Sequence, residues 1–283
     1  MTVAENRRLQ AIANLPPIPS IAQNIISALN NHHLNIDSIA DVLAKDPGLC
    51  ARIVSAANSA FFTGQREIMT VKESVVRLGL SRVQVITTSI LIGLRFKPEN
   101  CPNFDIEYYW DNSINLALCA TKLAPHARLE VPSEATYLCG LLHDIGLLIV
   151  SYLFPKEMNN IFQASASNPA IDFYALQRET LGFDCIEAGT DVAERWKLPS
   201  AVIEVIKNIH RTTEEEGVEY QNPRLINFMR LCHQWVNNGF ESLPDITGFE
   251  EIPDKTFEFV SRSCKREQDQ IDTFVNQIVL KAA

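Results

Sequence analysis

The sequence has no pair of cysteines at CxxC spacing. Cys50, Cys101, Cys119, Cys139, Cys185, Cys232 and Cys264 are odd in number and scattered, which argues against a structural zinc site or a disulfide framework and for reduced, packing thiols. Basic residues are few: 25 Lys and Arg against 34 Asp and Glu leave a net charge of −9. That is the wrong sign for binding a phosphate backbone, so nucleic acid is excluded as an expected partner. A Gly-rich phosphate loop is missing, because "GLLHDIG" lacks both the Rossmann spacing and a preceding strand. Serine-hydrolase and thiol-protease signatures are missing too. No run reaches the roughly 20 uncharged apolar residues of a membrane span, and the opening "MTVAENRRLQAIANLPPIPS" has no apolar stretch of signal-peptide length. The expectation is a cytoplasmic protein with no membrane partner.

What is present is helical periodicity. With 46% apolar and 21% charged residues over 283 positions, the chain has ordinary globular composition and enough length for two lobes sharing a core. Apolar residues recur every three or four positions: Ile18, Ile21, Ile25, Ile26 and Leu29; then Ile36, Ile39, Val42 and Leu43; then, past Asp46-Pro47-Gly48, Leu49, Ile53, Val54 and Ala57. Two helices around "KDPGL" could form a DNA-reading helix-turn-helix, but the would-be recognition segment "LCARIVSAANSAFF" offers one arginine, and packing is the better reading. Thr70 and Glu73 fit a capping box opening "VKESVVRL", with Gly79 as its C-terminal cap and Ser81 starting the next helix. The Pro- and Asn-rich "KPENCPNFD" is the expected lobe boundary. Helices are predicted near 106–125, 133–154, 170–194, 199–210 and 222–238.

One segment breaks the logic of burial. "EATYLCGLLHDIGLLIVSYLF" sets His143 and Asp144 side by side in an otherwise apolar run, and ionisable groups are costly to bury unless paired, hydrogen-bonded or bound to a metal. If both lie on one helix they diverge by about 100°, so other helices would have to complete any ligand set. The remaining imidazoles, His32-His33 and His126, read as surface groups in turns, and Trp110, Trp196 and Trp235 as core anchors. Asn58 and Ser59 read as capping or bridging residues.

Several motifs in order carry a resemblance: "LPPIPSIAQNIISAL", "IADVLAKDPGLCARIVSAANSAFF", "TVKESVVRLGLSRVQV", "ATYLCGLLHDIG" and "VAERWKLPSAVIEVIKNIH". Over about residues 14–212 the chain resembles the HDOD family of bacterial signalling proteins, relatives of the HD phosphohydrolases. The resemblance implies an all-α, two-lobed HDOD fold, with an amino-terminal helical lobe at 14–98, an HD-like lobe at 99–212 and a helical extension at 213–283. It also implies a regulatory role through signalling-protein partners, or through a small regulatory ligand.

The resemblance further implies a degenerate HD pocket made of Asn112, His143, Asp144, Cys185 and His210. Asn112 stands where catalytic relatives place a first histidine, and a neutral amide is a poor transition-metal ligand beside imidazole. Cys185 and Ile209 stand where binuclear members place histidines, Leu147 replaces a lysine that often follows the dyad, and His233 aligns loosely with a later aspartate. The expectation is therefore a non-catalytic module with no catalytic residues, no metal and no cofactor. In it Asp144 accepts hydrogen bonds from the neighbours of His143, from Asn112 or from backbone donors, in a network that His210 could join. The alternative is a metal-dependent phosphohydrolase of nucleotides or phosphoesters, its divalent metal held by His143, Asp144 and His210. Nucleotide sensing without hydrolysis would need cations nearby, for which Arg178 and Arg195 are the candidates.

Overall fold

A computed structural model describes residues 3–15, 54, 69–78, 91–93, 95–131, 133–211 and 220–279. Every regular element among them is helical. Apart from Val54, which packs against the core, the stripes between Ile18 and Ala57 lie outside the described residues, as do His32-His33, Cys50, Asn58, Ser59, Gly79 and Ser81.

Helix α1 spans Val3–Ala13 and α2 Val71–Leu78. The predicted capping box opens α2: Thr70 Oγ1 accepts from the Glu73 amide at 3.1 Å, and Glu73 Oε2 accepts from the Thr70 amide at 3.1 Å. After the boundary segment, α3 runs Ile106–Leu123, capped by Asp105, which accepts from the Tyr108 amide at 2.8 Å. It passes into a single 3₁₀ turn at Ala124–His126, where Pro125 cannot continue the ladder.

The predicted helix 133–154 is in fact two, α4 (Ser133–Leu142) and α5 (Ile145–Leu153), broken at the His-Asp dyad. The Gly140 carbonyl is engaged by His143 Nδ1 at 2.8 Å, a side-chain bond that competes with the helical ladder at that turn. The predicted helix 170–194 is likewise two, α7 (Phe173–Leu181) and α8 (Cys185–Arg195). Gly182 adopts φ +84°, the left-handed cap that ends α7. Asp184 and Glu187 then form a capping box that starts α8. Between the two pairs lies α6 (Pro155–Ser167), absent from the expected set and opened by a proline at its first position. Helices α9 (Ser200–Asn208) and α10 (Pro223–Asn237) fall within their predicted ranges, and α11 (Asp254–Val279) follows the "GFESLPDITGFEEIPD" loop.

Helix α3 is the hub, with α4, α10 and α11 packed on it, while α5 packs on α8 and α6. Trp110 and Trp235 are fully buried core anchors; Trp196 is half-buried and stacks on Phe96 at 5.7 Å. The stretch Ala135–Leu153 has the length and mean apolarity of a membrane span, although it contains His143 and Asp144, and 78% of it is buried inside this fold. Close approach is bought by glycine: a Cβ on Gly146 of α5 would lie 1.8 Å from the Cys185 carbonyl oxygen of α8, facing Gly189. This crossing seats the start of α5, and hence Asp144, against α8.

Both ends of the chain are tied to this lobe. Arg8 of α1 pairs with Glu187 at 2.9 Å and Asp191 at 2.7 Å on α8. Along α11, Lys122 of α3 meets Glu267 at 2.8 Å and Asp111 accepts from Gln268 at 2.6 Å. The six described cysteines are all unpaired thiols and all buried, as packing residues should be.

Candidate functional site

Because the chain breaks at the dyad, His143 and Asp144 sit in a turn, and the helical divergence expected of them does not apply. His143 is buried, and its Nδ1 donates to the Gly140 carbonyl at 2.8 Å. That bond places a hydrogen on Nδ1 and turns Nε2 toward the pocket. Nε2 lies 3.3 Å from Asp144 Oδ2 and has no hydrogen-bond partner. Asp144 Oδ1 sits 2.6 Å from His210 Nε2. Asp144 therefore takes its hydrogen bond from His210 and not from Asn112, since the turn aims its carboxylate at the end of α9.

His233, the weakest of the sequence assignments, proves central. It projects from α10 so that its ring centroid lies 5.2 Å from His143 and 5.0 Å from His210. One ligand nitrogen from each of His143, His210 and His233 falls within 4.8 Å of the others. Three imidazoles converge, with Asp144 against two of them. Their sequence separation hides this, because α4, α9 and α10 meet only through tertiary packing.

Electrostatics follow from the grouping. Burial alone would raise the Asp144 carboxyl, but the His143 and His210 imidazoles hold it well below the usual carboxylate range. Burial pulls His210 down, yet Asp144 outweighs it and leaves His210 above its ordinary value, with Arg230 opposing. Burial and the neighbouring imidazoles push His233 down to about 3, so it stays neutral. Tyr174, whose ring is 5.8 Å from that of His210, has its phenol raised by burial and by Asp144 and remains a donor.

Asn112 and Cys185 stand outside the imidazole cluster. Asn112 Nδ2 donates to Asn237 Oδ1 at 2.7 Å, and Asn237 Nδ2 lies 3.2 Å from His233 Nε2, so Asn112 reaches the site through Asn237. Its own Oδ1 is buried without a partner. Cys185 is buried at the first turn of α8; burial, then Asp144, pushes its thiol well above the ordinary value, which disfavours the thiolate a soft metal needs. Asp111 faces Gln268 and Asn115. Arg178 pairs with Asp184 at 2.5 Å and Arg195 donates to the Ala13 carbonyl at 3.2 Å. His126 is exposed.

Three imidazoles and a carboxylate form a donor set suited to a first-row divalent cation. The buried Nε2 of His143, 3.3 Å from the Asp144 carboxylate and without a hydrogen-bond partner, is a place where a positive species, a proton or a metal, would be favoured. The residues present thus fit a metal.

Known proteins share this architecture. A candidate phosphohydrolase from Shewanella amazonensis SB2B is 21% identical, covers 98% of this chain and 99% of its own, and superposes with a TM-score of 0.75. A candidate signal transduction protein from Marinobacter aquaeolei VT8 is 22% identical with a TM-score of 0.77, covering 97% of this chain and 66% of its own. An HDOD domain protein of unknown function from Geobacter sulfurreducens is 21% identical with a TM-score of 0.74, over 97% and 99%. An uncharacterized protein of Treponema pallidum is 24% identical over 248 residues, 88% of this chain; the chain spans about half the length of that relative, 46%. Residues 15–212 match the family model of the HDOD domain, and the chain belongs to the HDOD family.

Proposed function

We propose that this chain is a non-catalytic signalling module that works through contacts with partner proteins, its His-Asp pocket serving as a polar structural or small-ligand site. One observation carries the reading: the nearby arginines are engaged by protein acceptors. Phosphoryl transfer needs cations aimed at the phosphate oxygens. Here Arg230 donates to the carbonyls of Asn208, Ile209 and Arg211; Arg178 is held by Asp184, and position 147 is a leucine packed against the core. The likeness to a candidate signal transduction protein supports the signalling role, and the net charge of −9 favours protein over nucleic-acid partners. A cytoplasmic setting fits the reduced cysteines. The test is turnover of a panel of phosphoesters, nucleotides and cyclic dinucleotides with Mn²⁺, Ni²⁺ or Mg²⁺. No turnover above the His143→Ala background is expected; turnover abolished by that substitution refutes the reading.

The convergence of His143, His210 and His233 on Asp144 favours a second reading, a metal-dependent phosphohydrolase. A divalent cation bound there would polarise a phosphate and activate a water. His143 Nε2, His210 and His233 would offer imidazole donors and Asp144 the balancing charge, while Tyr174 keeps a protonated hydroxyl beside them. Metal analysis of protein purified without chelator separates the parts: about one cation per chain, lost in Asp144→Ala, supports the metal, and turnover alone supports hydrolysis.

A further inference from the structure

His210 occupies an awkward place for a residue that has to be aimed. It lies beyond the end of α9, whose last residue is Asn208 with Ile209 as the cap, so the helical ladder does not hold it. The final carbonyls of a helix have no partner within the helix. Even so, His210 Nε2 reaches Asp144 at 2.6 Å, and its ring stays 5.0 Å from that of His233.

The Arg211 amide closes the turn by donating to the Asn208 carbonyl at 3.1 Å, and one guanidinium ties that turn to α10. Arg230 Nη2 donates to the carbonyls of Asn208 at 2.7 Å and Arg211 at 2.6 Å, and Nε donates to that of Ile209 at 3.3 Å. These acceptors bracket His210 on both sides. The planar fork suits several acceptors at fixed angles, which an ammonium does not reproduce. A cation at a helix C-terminus is also favoured by the dipole. The guanidinium lies 5.7 Å from the Tyr220 ring centroid, which steadies it further. Arg230 stands three residues before His233 on α10, so the two share a helix face. The same helix thus supplies one imidazole and clamps the turn that supplies another.

We propose that Arg230 is a positioning residue: its guanidinium fixes the turn after α9 so that His210 meets Asp144 and faces His233. The inference rests on reading His143, Asp144, His210 and His233 as one working site. It assigns Arg230 no contact with a ligand.

The test uses the full chain labelled with ¹⁵N-histidine, in chelator. Among the described residues the wild type should show slowly exchanging imidazole N–H signals from His210, bonded to Asp144, and from His143, bonded to the Gly140 carbonyl. Arg230→Ala should lose the His210 signal and keep that of His143, which serves as the internal measure of folding. Arg230→Lys keeps the charge without the fork, and should selectively weaken the His210 signal; it decides the matter if the alanine variant does not fold. In parallel, Arg230→Ala should weaken Co²⁺ binding by about 10-fold or more, with no added loss in a His210→Ala background. An unchanged His210 signal in either variant that keeps the His143 signal, equal loss of both signals in Arg230→Lys, or an equal Co²⁺ effect without His210 overturns the proposal. Should the wild type take up no Co²⁺, the metal reading falls by itself, while the two N–H signals still decide the role of Arg230.

Discussion

Replacing Gly146 by alanine tests the packing that places Asp144. The added Cβ would lie 1.8 Å from the Cys185 carbonyl oxygen, 2.8 Å from the Gly189 nitrogen and 2.9 Å from the Cys185 carbonyl carbon. Contacts of this kind do not occur below 3.0 Å, so α5 and α8 must part by about 1.2 Å. All three obstructing atoms are backbone, and no side chain can swing aside. Overpacking a core typically costs about 1–3 kcal/mol, and an obstruction made only of backbone belongs at the upper end, about 3 kcal/mol. For a chain of this size that lowers the melting midpoint by roughly 6–12 °C. Asp144 immediately precedes α5, so its 2.6 Å bond to His210 should break as well. Urea unfolding followed by circular dichroism measures the cost. Gly248→Ala is the control: its Cβ meets nothing within 4 Å, although its φ of +84° carries about 1–2 kcal/mol of strain. The reasoning is refuted if Gly146→Ala unfolds at the wild-type midpoint, or costs no more than Gly248→Ala.

Stability in chelator should fall as pH drops below about 6.5. The unfolded His233 then takes a proton that the folded one, with a pKa of about 3, refuses, at a cost of up to about 1.4 kcal/mol per pH unit. Asp144, lowered in the fold, adds to the loss at the acid end, whereas His210, raised in the fold, withdraws its contribution as pH climbs through its folded value. His233→Gln should flatten the limb between pH 4.5 and 6.5, and parallel urea midpoints for the two proteins would contradict this. Arg8→Ala removes the pairs to Glu187 and Asp191, and should cost about 1–2 kcal/mol that high salt partly mimics in the wild type; calorimetry at two ionic strengths checks it. Truncation after Pro253 strips α11, including buried Phe257, Val260, Cys264, Ile271 and Val275, from the face of α3. Such a chain should bind a hydrophobic dye and lose cooperative unfolding, so a sharp transition would count against the role given to α11.

The sequence by itself determined the helical class, the family and the dyad, because helical periodicity, caps and motif order are local properties. Thr70 with Glu73 was legible for that reason, and "LGFD" contained the signals for the break between α7 and α8, a glycine followed by an aspartate three residues before Glu187. The break at His143 was hidden, since it depends on a side chain capturing a carbonyl one turn back inside an uninterrupted apolar run. Only the tertiary structure decided the site. His233 lies 90 residues beyond His143, and no spacing rule links them; they meet because α4 and α10 both pack on α3. In the same way Asn112 became a neighbour of Asn237 and Cys185 a buried thiol, outcomes set by which helix faces meet and not by residue type.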